Sequence, residues 1–470
     1  MSFFDDSTLA FLPSGGAGKD GKAYSIKPTN GTGDFTFSRG SNLTATRINA
    51  SGLIEKGREN LFLNSDTPAT QSITIANGSV YVFSFLGTGS VVATGGTSFT
   101  LNGTGALDRV QNYFVASSTS VTLTISGTIS EPQLELGTAA TSYIETDASS
   151  ALGGLLEDSP RFDYSGGASC PSLLLEPSRT NEIGYSEYFE GWTPQGSPTI
   201  TSNFGTSPEG LQNSSRLVFT NGSDYIETSV TNTSGVFTIY AKGTGNIILT
   251  DSGANDSITT ALTSSYQRIE LYFSTNTTTL QIKTDGSGLD AEVFGAQFEN
   301  ATYPTSYIPN HSSGSATRGA DSSTITSGLS IGNGTEFGLY YEIDVDAIPR
   351  NSSSPFIQIQ FSDASGGIGI KGASDAISNY IDLYGTTDFS ESFSARSMGN
   401  GIIKFFINYS SGTGDFYLNG TKYTGAISGP TSGCEIDSVY LLGSAYKLKA
   451  KQILIFPESL SEDDCITLTT

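Results

Sequence analysis

Histidine and cysteine are nearly missing from this chain of 470 residues, which holds one histidine, His311, and three cysteines, Cys170, Cys434 and Cys465. The cysteines are widely spaced and form no CxxC pair, which excludes a dense disulfide framework and a cysteine-built zinc site. A Cys434–Cys465 bridge is conceivable, but three buried thiols is the plainer expectation. His311 sits in PNHSSGSATRG, a Gly/Ser-rich connector, and is expected to be an exposed linker side chain rather than a general base. Nucleophilic catalysis by serine or cysteine through a histidine is thereby nearly excluded. Positive charge is also scarce: 23 Lys and Arg stand against 46 Asp and Glu, a formal charge of −23. Affinity for nucleic acid comes largely from basic side chains displacing counterions, so nucleic acid and anionic membranes are disfavoured as partners. No apolar run approaches the roughly 20 residues that span a bilayer. The start, MSFFDDSTLAFLPSGG, carries Asp5 and Asp6 where a secretory signal has positive charge, so secretion is not expected. No cofactor is indicated.

What is present points one way. Gly, Ser, Thr and Asn are abundant, and 27 Phe and 22 Tyr supply most of the large apolar surface. Thr and aromatics pack well on pleated sheets, while Gly and Asn supply turns. Helical periodicity is almost absent. The expected class is all-β, with about three domains for this length.

One phrase occurs twice. Residues 132–146 read PQLELGTAATSYIET and residues 296–310 read AQFENATYPTSYIPN, with Gln133/Gln297 through Ile144/Ile308 in register. Each copy closes a β-rich stretch that opens on a related phrase, RENLFLNS at 58–65 and RTNEIGYS at 179–186. Two modules with matching starts and ends are expected.

In chain order, residues 1–57 read as an N-terminal arm with too little apolar mass for its own core, packing on a neighbouring domain or protein. Residues 58–147 read as a small antiparallel sandwich. Residues 148–178 are a connector interrupted by Pro160, Pro171 and Pro177, with Leu173–Leu175 as an apolar staple. Residues 179–310 read as a jelly-roll sandwich resembling a carbohydrate-binding module. Residues 311–325 read as a linker, and 326–470 as a two-sheet jelly roll of the concanavalin type with eight strand candidates. Asn419-Gly420 is the strongest hairpin signal. SLSEDDCITL is the expected helix, capped by Ser461 with Asp464 three residues on.

Four groups of residues invite a functional reading. Trp192, after YSEYFEG, suits stacking on a sugar ring, against the plainer reading of a core indole. Tyr380, Asp382 and Tyr384 alternate along NYIDLYG, so two rings flank a carboxylate that accepts from hydroxyls; the plainer reading is a half-exposed strand of an ordinary sandwich. Glu342, Asp344 and Asp346 share a face of YYEIDVDAI and are a weak Ca²⁺ candidate, against a solvated acidic face. Glu187 and Glu190 are a conceivable carboxylate pair for glycoside cleavage, although acidic residues beside a loop are usually just solvated.

The order FTFSRGSNLTATRINASGLIE, SPRFDYSGGASCPSLLLEPSRTN, YSEYFEGW and FGAQFENATYPTSYIPNHSSGSATRGAD resembles a group of bacteriophage virion proteins. These are tail-fibre, spike or head-fibre proteins, often of phages infecting Bacteroidota and marine bacteria. The ending KLKAKQILIFPESLSEDDCITLT resembles the last strand and terminal turn of their laminin-G/concanavalin A-like domain. In familiar members SRxSxAT…GLIE runs almost directly into PRxDY, whereas here residues 58–147 stand between them as an inserted module. The resemblance implies a non-enzymatic virion component, made in the host cytoplasm and displayed on the particle. It further implies attachment to other virion proteins through residues 1–57 and contact with host-surface polysaccharide. A homo-oligomer, a trimer by analogy, is expected. No catalytic residue is carried over. A purely structural decoration protein is the alternative, ahead of a polysaccharide depolymerase using paired carboxylates and of a secreted adhesin.

Overall fold

The computed structural model describes the chain except residues 1, 14–17, 20, 166–170, 348–354, 363–365, 375–378, 388–389, 392–395, 399–400 and 444–445; for residues 18–19, 232, 346–347, 372–374, 379–387, 390–391 and 396–398 it describes the backbone alone. The fold is all-β, built from antiparallel sheets. Helix among the described residues is confined to Phe3–Asp6, the single turn Phe189–Gly191 and Glu462–Thr469. The last is the expected helix, with the Ser461 Oγ accepting from the Asp464 N–H at 3.3 Å. Asn419 and Gly420 both take left-handed φ, 46° and 78°, and close the expected hairpin with Leu418 opposite Thr421.

The first module packs a three-stranded sheet (Gly105–Val115, Val80–Gly87, Ile129–Leu136) on a four-stranded one (Phe99–Asn102, Ser90–Gly95, Ser120–Ser126, Gln71–Thr74). Alternating side chains from both fill a core around Phe83, Phe85, Val91, Val121, Leu123 and Leu134. The second module is wound differently. The separate short strands read from its sequence fuse into two long ones, Tyr225–Asp251 and Gln267–Glu299. Each passes through both layers, so that residues 236–241 lie between residues 267–273 and the returning end near 293–299. Gly243 permits this bend: its φ is 141°, and a Cβ there would stand 2.1 Å from the Asp290 carbonyl oxygen.

The repeated phrase is a hydrogen-bonded clip, built identically in both modules. In the second, Asn181 Nδ2 donates to the carbonyls of Ala296 and Ile308, and its Oδ1 accepts from the N–H groups of Ile183 and Phe298. In the first, Asn60 does the same with Pro132, Ile144, Phe62 and Leu134. Gln297 accepts from Ile308 N and donates to Glu299, which accepts from Thr305 N and Oγ1. Gln133, Ile144, Glu135 and Thr141 repeat that pattern. The recurring Gln, Glu, Thr and Ile are therefore the parts of a latch that satisfies buried backbone groups where strand pairing stops.

The segment boundaries read from the sequence require correction. Residues 1–57 are no separate arm. Leu9–Phe11 pairs with Lys447–Phe456 in one sheet of the C-terminal sandwich, and Phe35–Ser38 pairs with Ser322–Ile325 in the other. Leu9, Phe11, Phe35 and Phe37 are buried in that core. Burying such side chains contributes about 1.5–3 kcal/mol each as an upper figure, comparable in sum to a whole domain's net stability. These two strands thus pair with residues more than 280 positions away. The connector does likewise: Ser172–Leu175 adds a strand beside Lys447–Phe456, burying Leu173 and Leu175. Within the presumed linker 311–325, Ala316–Arg318 pairs with Arg179–Asn181. Two nine-stranded sheets result, where eight strand candidates were read. Cys434 and Cys465 are buried thiols outside any disulfide; Cys170 lies outside the described residues.

Deleting residues 2–38 is expected to unfold the C-terminal sandwich, seen as loss of amide-exchange protection across 401–456; a dispensable arm would leave that protection unchanged. Asn181→Ala is expected to cost roughly 3 kcal/mol or more, because four buried backbone groups lose their partner, and Asn60→Ala a comparable amount. Shifts of the denaturant midpoint measure both.

Candidate functional site

The phrases that carry the family resemblance meet at one buried ion network. Arg161 of SPRFDY donates to Glu176 of LLLEPSR at 2.7 Å and binds Asp321 of ATRGAD through Nε at 3.3 Å and through NH2. Arg318 reaches Glu176 at 2.8 Å, and Arg39 of FTFSRGS lies 3.7 Å from Asp321. Ser306 of PTSYIP donates N–H and Oγ–H to Glu176 at 2.8 and 2.6 Å. All five charged side chains are fully buried. Burial alone would raise the Glu176 carboxyl, but Arg318 and Arg161 overcome it and hold it far below the usual carboxylate range. Burial lowers Arg39 to about 10.

A second network ties the modules together. Lys56 Nζ lies 2.9 Å from Glu187 and 2.7 Å from Glu209, Tyr307 OH donates to Glu187 at 2.9 Å, and Asn213 donates to Glu209 at 2.9 Å. Burial pulls the Lys56 ammonium down, yet Glu187 and Glu209 more than offset it and raise its pKa above the ordinary lysine value. The conceivable Glu187/Glu190 pair does not form. Glu187 is buried against Lys56, whereas Glu190 is exposed and accepts from Tyr113 OH and Ser202 N.

His311 is not an exposed linker residue. Its side chain is 10% accessible and lies 3.9 Å from Glu187, at the seam between the two modules, and its backbone oxygen accepts from Val80 N. Burial, with the Lys56 ammonium nearby, pulls its pKa down to about 3, so the imidazole is neutral at pH 7. It lines a cavity of about 600 Å³, together with Lys56, Arg58, Glu59, Tyr81 and Glu135. That volume is within the range of small-ligand sites. The polar walls are engaged internally, however: Arg58 donates to the Ser142 carbonyl, Glu59 accepts from Ser150, and Tyr81 OH accepts from Ala76 N.

The expected sugar surfaces fare differently. Trp192 is 2% exposed, its indole packed on Phe189 with ring centroids 5.2 Å apart and its N–H directed at the Tyr185 carbonyl at 3.4 Å. The turn Phe189–Gly191 folds the ring inward, so it offers no stacking face to solvent. Tyr380, Asp382 and Tyr384 lie on the strand Asn379–Thr387, one strand from the sheet edge, and their side chains fall outside the described residues. Glu342 and Asp344 share a half-buried face opposite Lys404 and Lys449 respectively, Glu342 accepting from Tyr340 OH at 3.1 Å. The Asp346 side chain falls outside the described residues, and among those described no three His, Cys, Asp or Glu groups are placed to hold a metal.

An exposed face that the sequence reading missed lies on the second module. Phe204 is 43% exposed above a groove of about 250 Å³ lined by Arg216, Gly243, Thr244, Asp290 and Glu292. Arg216 forms a bidentate pair with Asp290 at 2.7 and 2.6 Å, its guanidinium 4.8 Å from the Phe204 ring centre. That pairing holds Asp290 below its ordinary pKa. Lys242 lies 3.2 Å from Glu292 and 4.7 Å from the Tyr266 ring centre. Strict alternation from Ile200 turns residue 204 inward; a register shift between Thr201 and Gly205, with Asn203 at φ 52°, turns it out. The breaker-rich run Asn203-Phe204-Gly205 was the available signal.

Comparison with known proteins adds little. No protein-family profile and no curated protein matches the chain. Among solved structures, domain 4 of AbnA, a GH43 extracellular arabinanase from Geobacillus stearothermophilus in complex with arabinotriose, aligns with 32% of this chain and 73% of its own at 13% identity, with a TM-score of 0.24. Trypanosoma rangeli sialidase in complex with sialic acid aligns with 92% and 97% at 9% identity, with a TM-score of 0.22. Overlaps this low carry no argument about function.

His311 sets a pH signature. Its folded pKa is depressed, so unfolded chains bind a proton below about 6.5 that folded chains refuse until about 3, and stability falls as pH drops through that window. Glu176, also depressed, adds a loss only below about 4.5. His311→Asn is therefore expected to flatten the decline in thermal midpoint between pH 6.5 and 4.5 and to leave the steeper loss below it; an unchanged profile refutes the assignment.

Proposed function

We propose that this chain is a non-enzymatic structural protein of a bacteriophage virion, displayed on the particle exterior and touching host-surface glycans through its sandwiches. The virion assignment rests on the sequence phrases. One structural observation supports the reading most: charged residues in those phrases are salt-bridged in buried networks that hold remote segments in one framework. A carboxylate salt-bridged to a buried ammonium or guanidinium is poorly placed to shuttle protons, because protonation forfeits the pairing. Glycan contact is assigned to the Phe204 groove, where an exposed ring stacks on sugar C–H faces while Arg216, Asp290 and Glu292 exchange hydrogen bonds with hydroxyls. Tyr380, Asp382 and Tyr384 form the second proposed surface. Contacts this shallow are weak singly and gain from repetition on a particle.

The plain decoration protein remains the second reading, favoured by one fact: Phe204 and Tyr272 are the exposed aromatics among the described residues. Binding of the full chain to host polysaccharides on a glycan array separates the two. Phe204→Ala is expected to weaken binding about tenfold, as loss of a stacked ring costs on the order of 1–1.5 kcal/mol, with an unchanged thermal midpoint. Absence of binding to every host polysaccharide leaves the decoration role, and absence of the chain from purified particles removes both.

A further inference from the structure

A smaller pocket, of about 150 Å³, opens where the N-terminal strands, the connector, the second module and the C-terminal sandwich converge. Its walls carry four cations, Arg47, Arg268, Lys447 and Lys449, and two carboxylates, Asp163 and Glu176. Glu176 is already neutralised by Arg161 and Arg318. The lining is thus net positive within a chain whose formal charge is −23.

Arg268 is the informative member. Its NH2 donates to the Thr305 carbonyl at 2.7 Å and to Thr238 Oγ1 at 3.1 Å, and its guanidinium lies 5.6 Å from the Tyr240 ring centre. Among the described residues it has no carboxylate partner, and its Nε–H is buried without any acceptor. In a protein with twice as many acidic as basic residues, a half-buried guanidinium whose hydrogen-bond acceptors are neutral groups is suited to a negative ligand. A buried guanidinium N–H left without an acceptor is costly, and an oxyanion supplies both the acceptor and the countercharge. Two neighbouring cations are already engaged within the chain. Lys449 Nζ lies 2.8 Å from Ser165 Oγ and 3.8 Å from Asp163, and Arg47 is held by Glu55 at 2.9 Å.

We propose that this pocket is an oxyanion site that takes a sulfate, a phosphate or the carboxylate of an acidic sugar, with Arg268 as the principal donor. Occupancy would join four chain segments at one point and strengthen the seam between the second module and the C-terminal sandwich. The proposal stands apart from the glycan reading of the Phe204 groove, whose lining carries one cation against two carboxylates and which lies elsewhere on the second module.

The test is calorimetric titration of the full chain with sodium sulfate, sodium phosphate, glucuronate and a glucuronate-containing oligosaccharide, against sodium chloride at matched ionic strength. Saturable binding of a free inorganic anion, weakened about tenfold or more in Arg268→Gln, identifies a free-oxyanion site. Saturation by the sugar acids alone, with the same loss in the variant, identifies a glycan-borne carboxylate. Lys449→Met, a more accessible substitution, serves where Arg268→Gln lowers the thermal midpoint in chloride. No saturable binding to any of the four, or binding equal in wild type and both variants, overturns the proposal.

Discussion

Three arginines and two carboxylates, buried together with no access to water, constrain this molecule more than any other contact. An arginine or carboxylate moved out of water loses several kcal/mol of solvation, and only close, multiply hydrogen-bonded partners restore it. Arg39, Arg161, Glu176, Arg318 and Asp321 come from four separate stretches of chain, so none of those stretches can be buried without the others. Ser306 adds two hydrogen bonds from the closing phrase of the second module. The network therefore specifies which segments meet, and the hydrophobic cores stabilise the result. Among the described residues Arg39 and Arg318 each have one carboxylate partner, so losing Asp321 or Glu176 would leave a buried guanidinium unmatched, which is why the cluster works as a register pin.

The clip repeated in both modules solves a related problem with neutral groups. Where a sandwich strand leaves its sheet, backbone donors and acceptors lose their partners while remaining buried. Asn60 and Asn181 each supply the four missing contacts, and the Gln–Glu–Thr relay fixes the chain that follows. One latch serving two modules of different size, one an ordinary two-sheet sandwich and the other wound from two long bent strands, shows that it is independent of the strands it closes. The pairing of Leu9–Phe11 with Lys447–Phe456 spans nearly the whole chain. Contacts of such high sequence separation make folding slow and late-completing.

These two devices also bear on function. His311 and Glu187 lie at a seam, Glu187 paired with Lys56, while the repeated glutamates Glu135 and Glu299 latch the closing phrases of their own modules. The surface left for recognition is shallow, and on the second module it collects around a ring that a local bulge turns outward. A rigid framework with modest outward contacts suits a protein that works through many copies, where orientation matters more than the strength of any one site.

Much of the secondary structure was legible in the sequence because its signals are local. Alternation marked the strands of residues 326–470, Asn419-Gly420 marked a turn that needs left-handed φ, and Ser461 with Asp464 marked the cap. The duplicated phrase revealed two modules because the clip needs the same residue types at the same spacing. The partnerships were not legible. Residues 1–57 look too poor in apolar mass to fold alone; Leu9, Phe11, Phe35 and Phe37 are buried in the C-terminal core and Ile54 packs with Phe294 and Tyr307, partnerships that no local pattern can disclose. Trp192 takes the plainer of its two readings, a core indole, because the turn Phe189–Gly191 folds it inward, and Phe204 faces water because a bulge of one or two dihedrals reverses its strand's alternation. The sequence alone determined the β class, the repeat and the scarcity of groups for histidine chemistry, since these depend on composition and short-range geometry. Only the tertiary structure decided that connector, arm and linker contribute interior strands and that the charged signature residues pair in one buried network, since burial and charge pairing depend on what the rest of the chain brings alongside.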